Sequence, residues 1–138
     1  MICTFFGHKN AGSDVKEKIK HTVERLIKDG VVDYYVGNNG NFDYYVQVVL
    51  TEIMKNQSDV HLTVVLSNLG ERALAANQEC TLFPEGFEMA LPRFAISKRN
   101  DWLIKNSQIA VIYVNNNFTN SYKWMEKARK KGLKIINI

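Results

Sequence analysis

Two stretches of the chain place small polar side chains where a strand hands over to a helix. They are Tyr34-Tyr35-Val36-Gly37-Asn38-Asn39-Gly40-Asn41-Phe42 and Ile112-Tyr113-Val114-Asn115-Asn116-Asn117-Phe118-Thr119-Asn120-Ser121. Such a handover leaves backbone N–H groups unpaired at the positive end of the helix dipole, a ready position for phosphate or another anion. The residues expected to meet a ligand are Gly37, Asn38, Asn39 and Gly40 in the first loop, and Asn116, Thr119, Asn120 and Ser121 in the second. The glycines of the first loop do not fall as G-x-G-x-x-G, so it is not a dinucleotide fingerprint. An ordinary βα turn explains it equally well.

Other residues could join these loops. Gly7 follows the first apolar run and lets the backbone approach a ligand, while His8 can donate, accept or carry charge. A histidine in that place is more often a loop-ordering hydrogen bonder, and His21 and His61 are read as structural. Asp43 falls in the first turn of a helix, where it complements the dipole or accepts hydrogen bonds from ribose hydroxyls. It would repel phosphate and should face a sugar. Arg93, Arg99 and Asn100 open a helix that runs to about Asn106, with Arg99 on the rim of its apolar face beside Trp102. An arginine held there suits a bidentate contact with phosphate, or an interhelical salt bridge. Glu85 and Glu88 flank Gly86 in a loop and are read as solvated or within reach of a ligand.

The elements that must position these residues are legible from periodicity. Strand-like runs fall at 2–6, 32–36, 61–66, 109–114 and 134–138, separated by helical patterns. Asp14 and Glu17 suggest a capping box before Val15, Ile19, Val23, Leu26 and Ile27, with Gly30 as the stop. Phe42, Tyr45, Val46, Val49, Leu50 and Ile53 share one face of the second helix. The last helix runs from about Ser121 to Gly132 and buries Trp124, Met125 and Ala128. Alternation of this kind predicts an α/β, three-layer Rossmann-like domain over residues 1–138, with a mainly parallel sheet of about five strands. A short edge strand is expected near Cys80–Phe83, inside a long loop from Ser67 to Pro92 that reads as a lid or binding loop. In such a sheet, ligands bind outside the carboxyl ends of the strands.

Composition narrows the classes. A hydrophobic content of 46% supplies a core, and no apolar run approaches the length of a membrane span. Met1–Phe6 has no signal-peptide character, and the two cysteines, Cys3 and Cys80, read as a buried reduced pair without zinc spacing. A cytoplasmic protein needing no metal or cofactor is expected. Residues 1–69 hold 7 basic and 8 acidic side chains and residues 70–138 hold 11 and 6. The basic excess sits mostly in the last helix, where it complements the dipole; a nucleic-acid surface is the lesser reading.

Gly7-His8 after a first strand, Gly37-x-x-Gly40 before a helix, Pro84-Glu85-Gly86, Pro92-Arg93-Phe94-Ala95-Ile96 and Arg99-Asn100-x-Trp102 together resemble the SLOG superfamily. That group joins the DNA-processing protein A fold to the Lonely Guy nucleotide phosphoribohydrolases, and the likeness is to its small bacterial members of unassigned function. The resemblance implies a Rossmann-like fold that binds a nucleotide or nucleotide-derived ligand. It also exposes a departure. Lonely Guy-type enzymes carry a Pro-Gly-Gly-x-Gly-Thr-x-x-Glu loop, whereas the loop from Asn115 to Ser121 has no glycine. Trp124 stands where the hydrolytic glutamate would fall, and Glu126 is out of helical phase with the site. Three functions follow in order of expectation. The first is a nucleotide-binding domain, as a sensor. The second is an N-glycosidic hydrolase in which Asp43 or Glu85 replaces the missing acid, and the third is a nucleic-acid binder. Assembly into a homo-oligomer is compatible with all three.

Overall fold

In β1 (Ile2–Gly7) and β5 (Ile109–Tyr113), apolar residues are consecutive because both faces of the sheet are covered. Cys3, Phe5, Ile109 and Val111 enter one core, while Phe6, Ala110 and Ile112 enter the other, as a period of two requires. The first core is closed by α1 (Val15–Lys28) and α2 (Asn41–Met54), through Val15, Ile19, Val23 and Leu26 and through Phe42, Val46 and Leu50. The second is closed by α3 (Ala95–Lys105) and α4 (Asn120–Lys130), through Leu103, Ile104, Trp124 and Ala128. The computed structural model describes residues 1–70, 80–115 and 119–138. The contact expected from Asn116 lies outside these residues.

The remaining strands are β2 (Asp33–Val36), β3 (His61–Val65), β4 (Thr81–Leu82) and β6 (Lys134–Asn137). Among the described residues they form, with β1 and β5, one parallel six-stranded sheet in the order β4-β3-β2-β1-β5-β6. The three-layer Rossmann-like architecture expected from the alternation is therefore present, and the expected edge strand is Thr81–Leu82. From β1 the chain steps outward through β2 and β3 on one side, while β5 returns to the other. Strand order reverses at β1, so the loops leaving β1 and β5 diverge and open a crevice at the carboxyl edge.

Several helix ends follow the sequence. Gly30 and Gly132 stop α1 and α4 with φ of 89° and 88°, left-handed values that suit glycine. The capping box expected at Asp14 does not form. Asp14 is itself helical (φ −61°, ψ −24°) and its carboxylate caps nothing. A capping residue needs extended backbone to turn its side chain over the first N–H groups, and here two tight turns, Val15 N–H to Gly12 and Lys16 N–H to Ser13, lead into the helix instead. Glu17 lies 3.8 Å from His21, one turn on. Arg93 precedes α3: it sits in a single 3-10 turn, Pro92–Phe94, led by a proline that has no N–H to give.

Both cysteines are free, but only Cys3 is buried; Cys80 is half-buried. Burial pushes the Cys3 thiol well above its ordinary range, which leaves it protonated and inert. Among the described residues, no helix is long and apolar enough to cross a membrane.

Candidate functional site

The crevice at the reversal of strand order holds a cavity of about 240 Å³. Gly7 ends β1 and Lys9 follows it, Gly37, Asn39 and Asp43 come from the turn into α2 and its first residues, Arg93 from the 3-10 turn before α3, and Arg99 and Asn100 from the middle of α3. Asn120, Ser121, Lys123 and Trp124 come from the first turns of α4. Residues from four separate parts of the chain, most of them singled out by the sequence, thus converge on one space.

Its most constrained part is the approach of α3 to the turn before α2. Arg99 is 1% exposed. Its Nε donates to Asn100 Oδ1 at 2.8 Å and its Nη1 donates to the Val65 carbonyl at 3.3 Å. The sequence placed Arg99 on the rim of the helix; the structure places it inside. Gly37 makes the room, since a Cβ there would stand 2.5 Å from Arg99 Cζ. The glycine expected to admit a ligand instead admits a guanidinium.

Asp43 faces this group from α2. Its carboxylate accepts the Asn39 N–H at 3.0 Å, reaching back over the start of its own helix. It is 8% exposed. Burial pushes its pKa up to about 6, against the Arg99 charge and the Asn39 N–H, which both pull it down. An acid shifted into the neutral range, beside a fixed cation and at a cavity wall, is the arrangement that functional sites favour.

The Gly37–Gly40 turn is otherwise satisfied internally. The Asn41 N–H donates to the Lys9 carbonyl at 2.7 Å. Gln47, fully buried, donates through Nε2 to the Gly37 carbonyl at 3.2 Å and to Asn38 Oδ1 at 3.0 Å. Asn38 and Gly40 hold the turn rather than line this cavity. The phosphate expected here would find two of the turn's donors, Asn39 and Asn41, already engaged. At α4 the donors are arranged differently. Thr119 caps the helix by accepting the Tyr122 N–H at 3.3 Å, while the N–H groups of Asn120 and Ser121 precede the first intrahelical bond.

Gly7 serves packing as well as the cavity wall: a Cβ there would stand 2.3 Å from the Phe42 ring. His8 orders the neighbouring loop, its Nε2 accepting the Asn115 N–H at 2.6 Å. With Thr119 it lines an adjacent cavity and not the first. Glu85 is exposed and does not line the first cavity.

Sequence reasoning missed Lys9 and Gln47, and read Lys123 only as part of a basic cluster. The signal for Gln47 was available, because it follows Asp43 by one turn and falls among Val46, Val49 and Leu50. A polar residue at a core phase has to satisfy something buried. Trp124 forms an apolar wall, stacked on Phe6 with ring centroids 6.2 Å apart. The fold and the crevice define a Rossmann-like α/β domain with a polar, cation-rimmed cavity at its switch point. No protein-family model matches the chain, and no curated protein does.

Proposed function

We propose that this domain binds a nucleotide or nucleotide-derived ligand at the carboxyl edge of its sheet, as a binding or sensing module. The observation that carries the reading is the pairing of opposite chemistries around one cavity. Lys9, Arg93 and Lys123, with the first N–H groups of α4, favour an anion, while buried Asp43 accepts hydrogen bonds from hydroxyls. Its volume of about 240 Å³ falls below the ~300–1,000 Å³ of sites for drug-sized ligands, which suits a ribose phosphate with its base projecting outward. This is also the ligand class that the SLOG resemblance implies. Arg99, in the wall of this cavity and bonded to Asn100 and the Val65 carbonyl, supplies a fixed positive charge beside Asp43.

The test is a thermal-shift panel of nucleoside phosphates and ADP-ribose-like compounds. A ligand at about 100 times its Kd should stabilise the fold by about 2.7 kcal/mol. Arg93→Ala with Lys123→Ala should abolish the shift without changing the unliganded Tm. A shift that survives both substitutions would move the anion elsewhere.

A hydrolytic role is favoured by one observation, the raised pKa of Asp43, which would let it act as an acid near neutral pH. A second group is not at hand: by the resemblance Trp124 stands where the hydrolytic glutamate would fall, and Glu85 does not line the cavity. The expected outcome is no appreciable release of free base from nucleoside monophosphates. Turnover that disappears in Asp43→Asn would reverse the order of the two readings.

A further inference from the structure

Beside the nucleotide cavity lies a second one of about 350 Å³, between the loop after β1 and the start of α4. Among the described residues His8, Asn10, Gly12, Tyr113, Asn115 and Thr119 line it, and no lysine or arginine does. His8 is only 9% exposed, so its polar edges need partners. One is supplied, because Nε2 accepts the Asn115 N–H and must therefore carry no proton. The ring's proton then belongs on Nδ1. Among the described residues no other hydrogen bond reaches this ring. The sealed, partnerless side-chain atoms among the described residues are Thr4 Oγ1, Thr51 Oγ1 and Ser107 Oγ, so His8 Nδ1 is not sealed, and its ring lines the cavity. A fixed backbone contact thus sets the tautomer and presents an N–H donor from a nearly buried ring.

The surroundings say what this donor reads. Among the described residues no lysine, arginine, aspartate or glutamate lines the cavity, which favours a neutral ligand over an anion; Lys18 lies over the Tyr113 ring at 5.6 Å without itself lining it. The Asn10 and Asn115 carboxamides each supply a donor and an acceptor, the pairing that a vicinal diol requires. We propose that this cavity is a second subsite, for a neutral polyol such as a sugar ring, with the Nδ1–H of His8 as its fixed donor. The inference goes beyond the nucleotide reading and stands without it, since the first cavity is rimmed by cations and the lining of the second holds no lysine or arginine among the described residues.

The experiment is a titration of 15N-labelled protein, read by long-range 1H–15N correlation of the imidazoles and by the backbone amides. The probes are D-ribose and inorganic phosphate, added separately. His8 should show the Nδ1–H tautomer, and ribose should move its Nδ1 resonance saturably. Phosphate should leave His8 in place. Asn10 is exposed, so Asn10→Leu should fill the mouth of the cavity without entering the core, and should weaken the ribose response about tenfold, 1.4 kcal/mol, with Tm unchanged. An Nε2–H tautomer, no response to ribose, a His8 response to phosphate matching that to ribose, or unchanged ribose affinity in Asn10→Leu would each overturn the proposal. Failure of the nucleotide panel would leave this titration unaffected.

Discussion

Asp43 is held in the folded protein at a thermodynamic cost. Its pKa rises from 3.8 to about 6, so between roughly pH 4 and 6 the native state binds more protons than the unfolded chain. Stability from this residue is therefore fully present below the unfolded pKa and is lost as pH rises through the folded one. The shift corresponds to roughly 3 kcal/mol that is missing at neutral pH. Asp43→Asn keeps an oxygen for the Asn39 N–H and removes the buried charge. Urea denaturation should find it about 1–3 kcal/mol more stable than wild type at pH 7.5, with the pH 4–6 slope flattened. The nucleotide binding proposed above should weaken at the same time. A variant less stable at pH 7.5 would mean that attraction to Arg99 outweighs burial. The sequence showed Asp43 and Arg99 as ligand-edge residues but not their depth, which depends on how closely Arg99 approaches the Gly37 turn before α2. Arg99→Ala is accordingly no clean probe of binding, because it strips a fixed partner from Asn100, the Val65 carbonyl and Asp43.

At the scale of elements, what decides the site is how closely α3 approaches the turn before α2. Gly37 permits that approach, and Gly37→Ala should force the guanidinium or the helix to shift, costing about 1–3 kcal/mol as in other overpacked interiors. Circular dichroism melting would check it; an unchanged Tm would show that Arg99 relaxes freely. Strand and helix positions were readable because both periods were strong. Helix starts were less so. The Asp14/Glu17 pattern promised a cap that α1 does not form, whereas Asp43 does reach back over the start of α2. The difference lies in the backbone angles ahead of each helix, which the residue types leave open. Arg93 shows the same limit, falling in a proline-led 3-10 turn whose geometry no periodicity announces.

For the molecule as a whole, the basic surplus divides in two. Lys123 joins the cavity, while Lys127 pairs with Asp101 at 3.3 Å and Arg129 with Glu126. These exposed pairs add little stability, but they lower the free positive charge of the last helix. Duplex DNA should therefore bind weakly and without sequence preference at physiological salt, its affinity falling about 0.9 log units per tenfold salt for each phosphate neutralised. Fluorescence anisotropy across a salt series would measure this. Tight binding that persists at physiological salt and is lost in Lys127→Glu with Lys130→Glu would contradict it.

The central position of β1 sets an order of events during synthesis. One flank of β1 is completed early by β2, but the other waits for Ile109–Tyr113, the strand that pairs with Cys3–Gly7. At ribosomal speeds of ~5–20 residues per second, that edge stays open for something like 5–20 s after β1 has emerged. For that interval the nascent chain carries an unpaired, apolar strand edge, Cys3-Thr4-Phe5-Phe6, which any other extended segment nearby could meet first. The same long return that creates the crevice at the switch point thus makes the newborn chain dependent on whatever shields its first strand until the last quarter arrives.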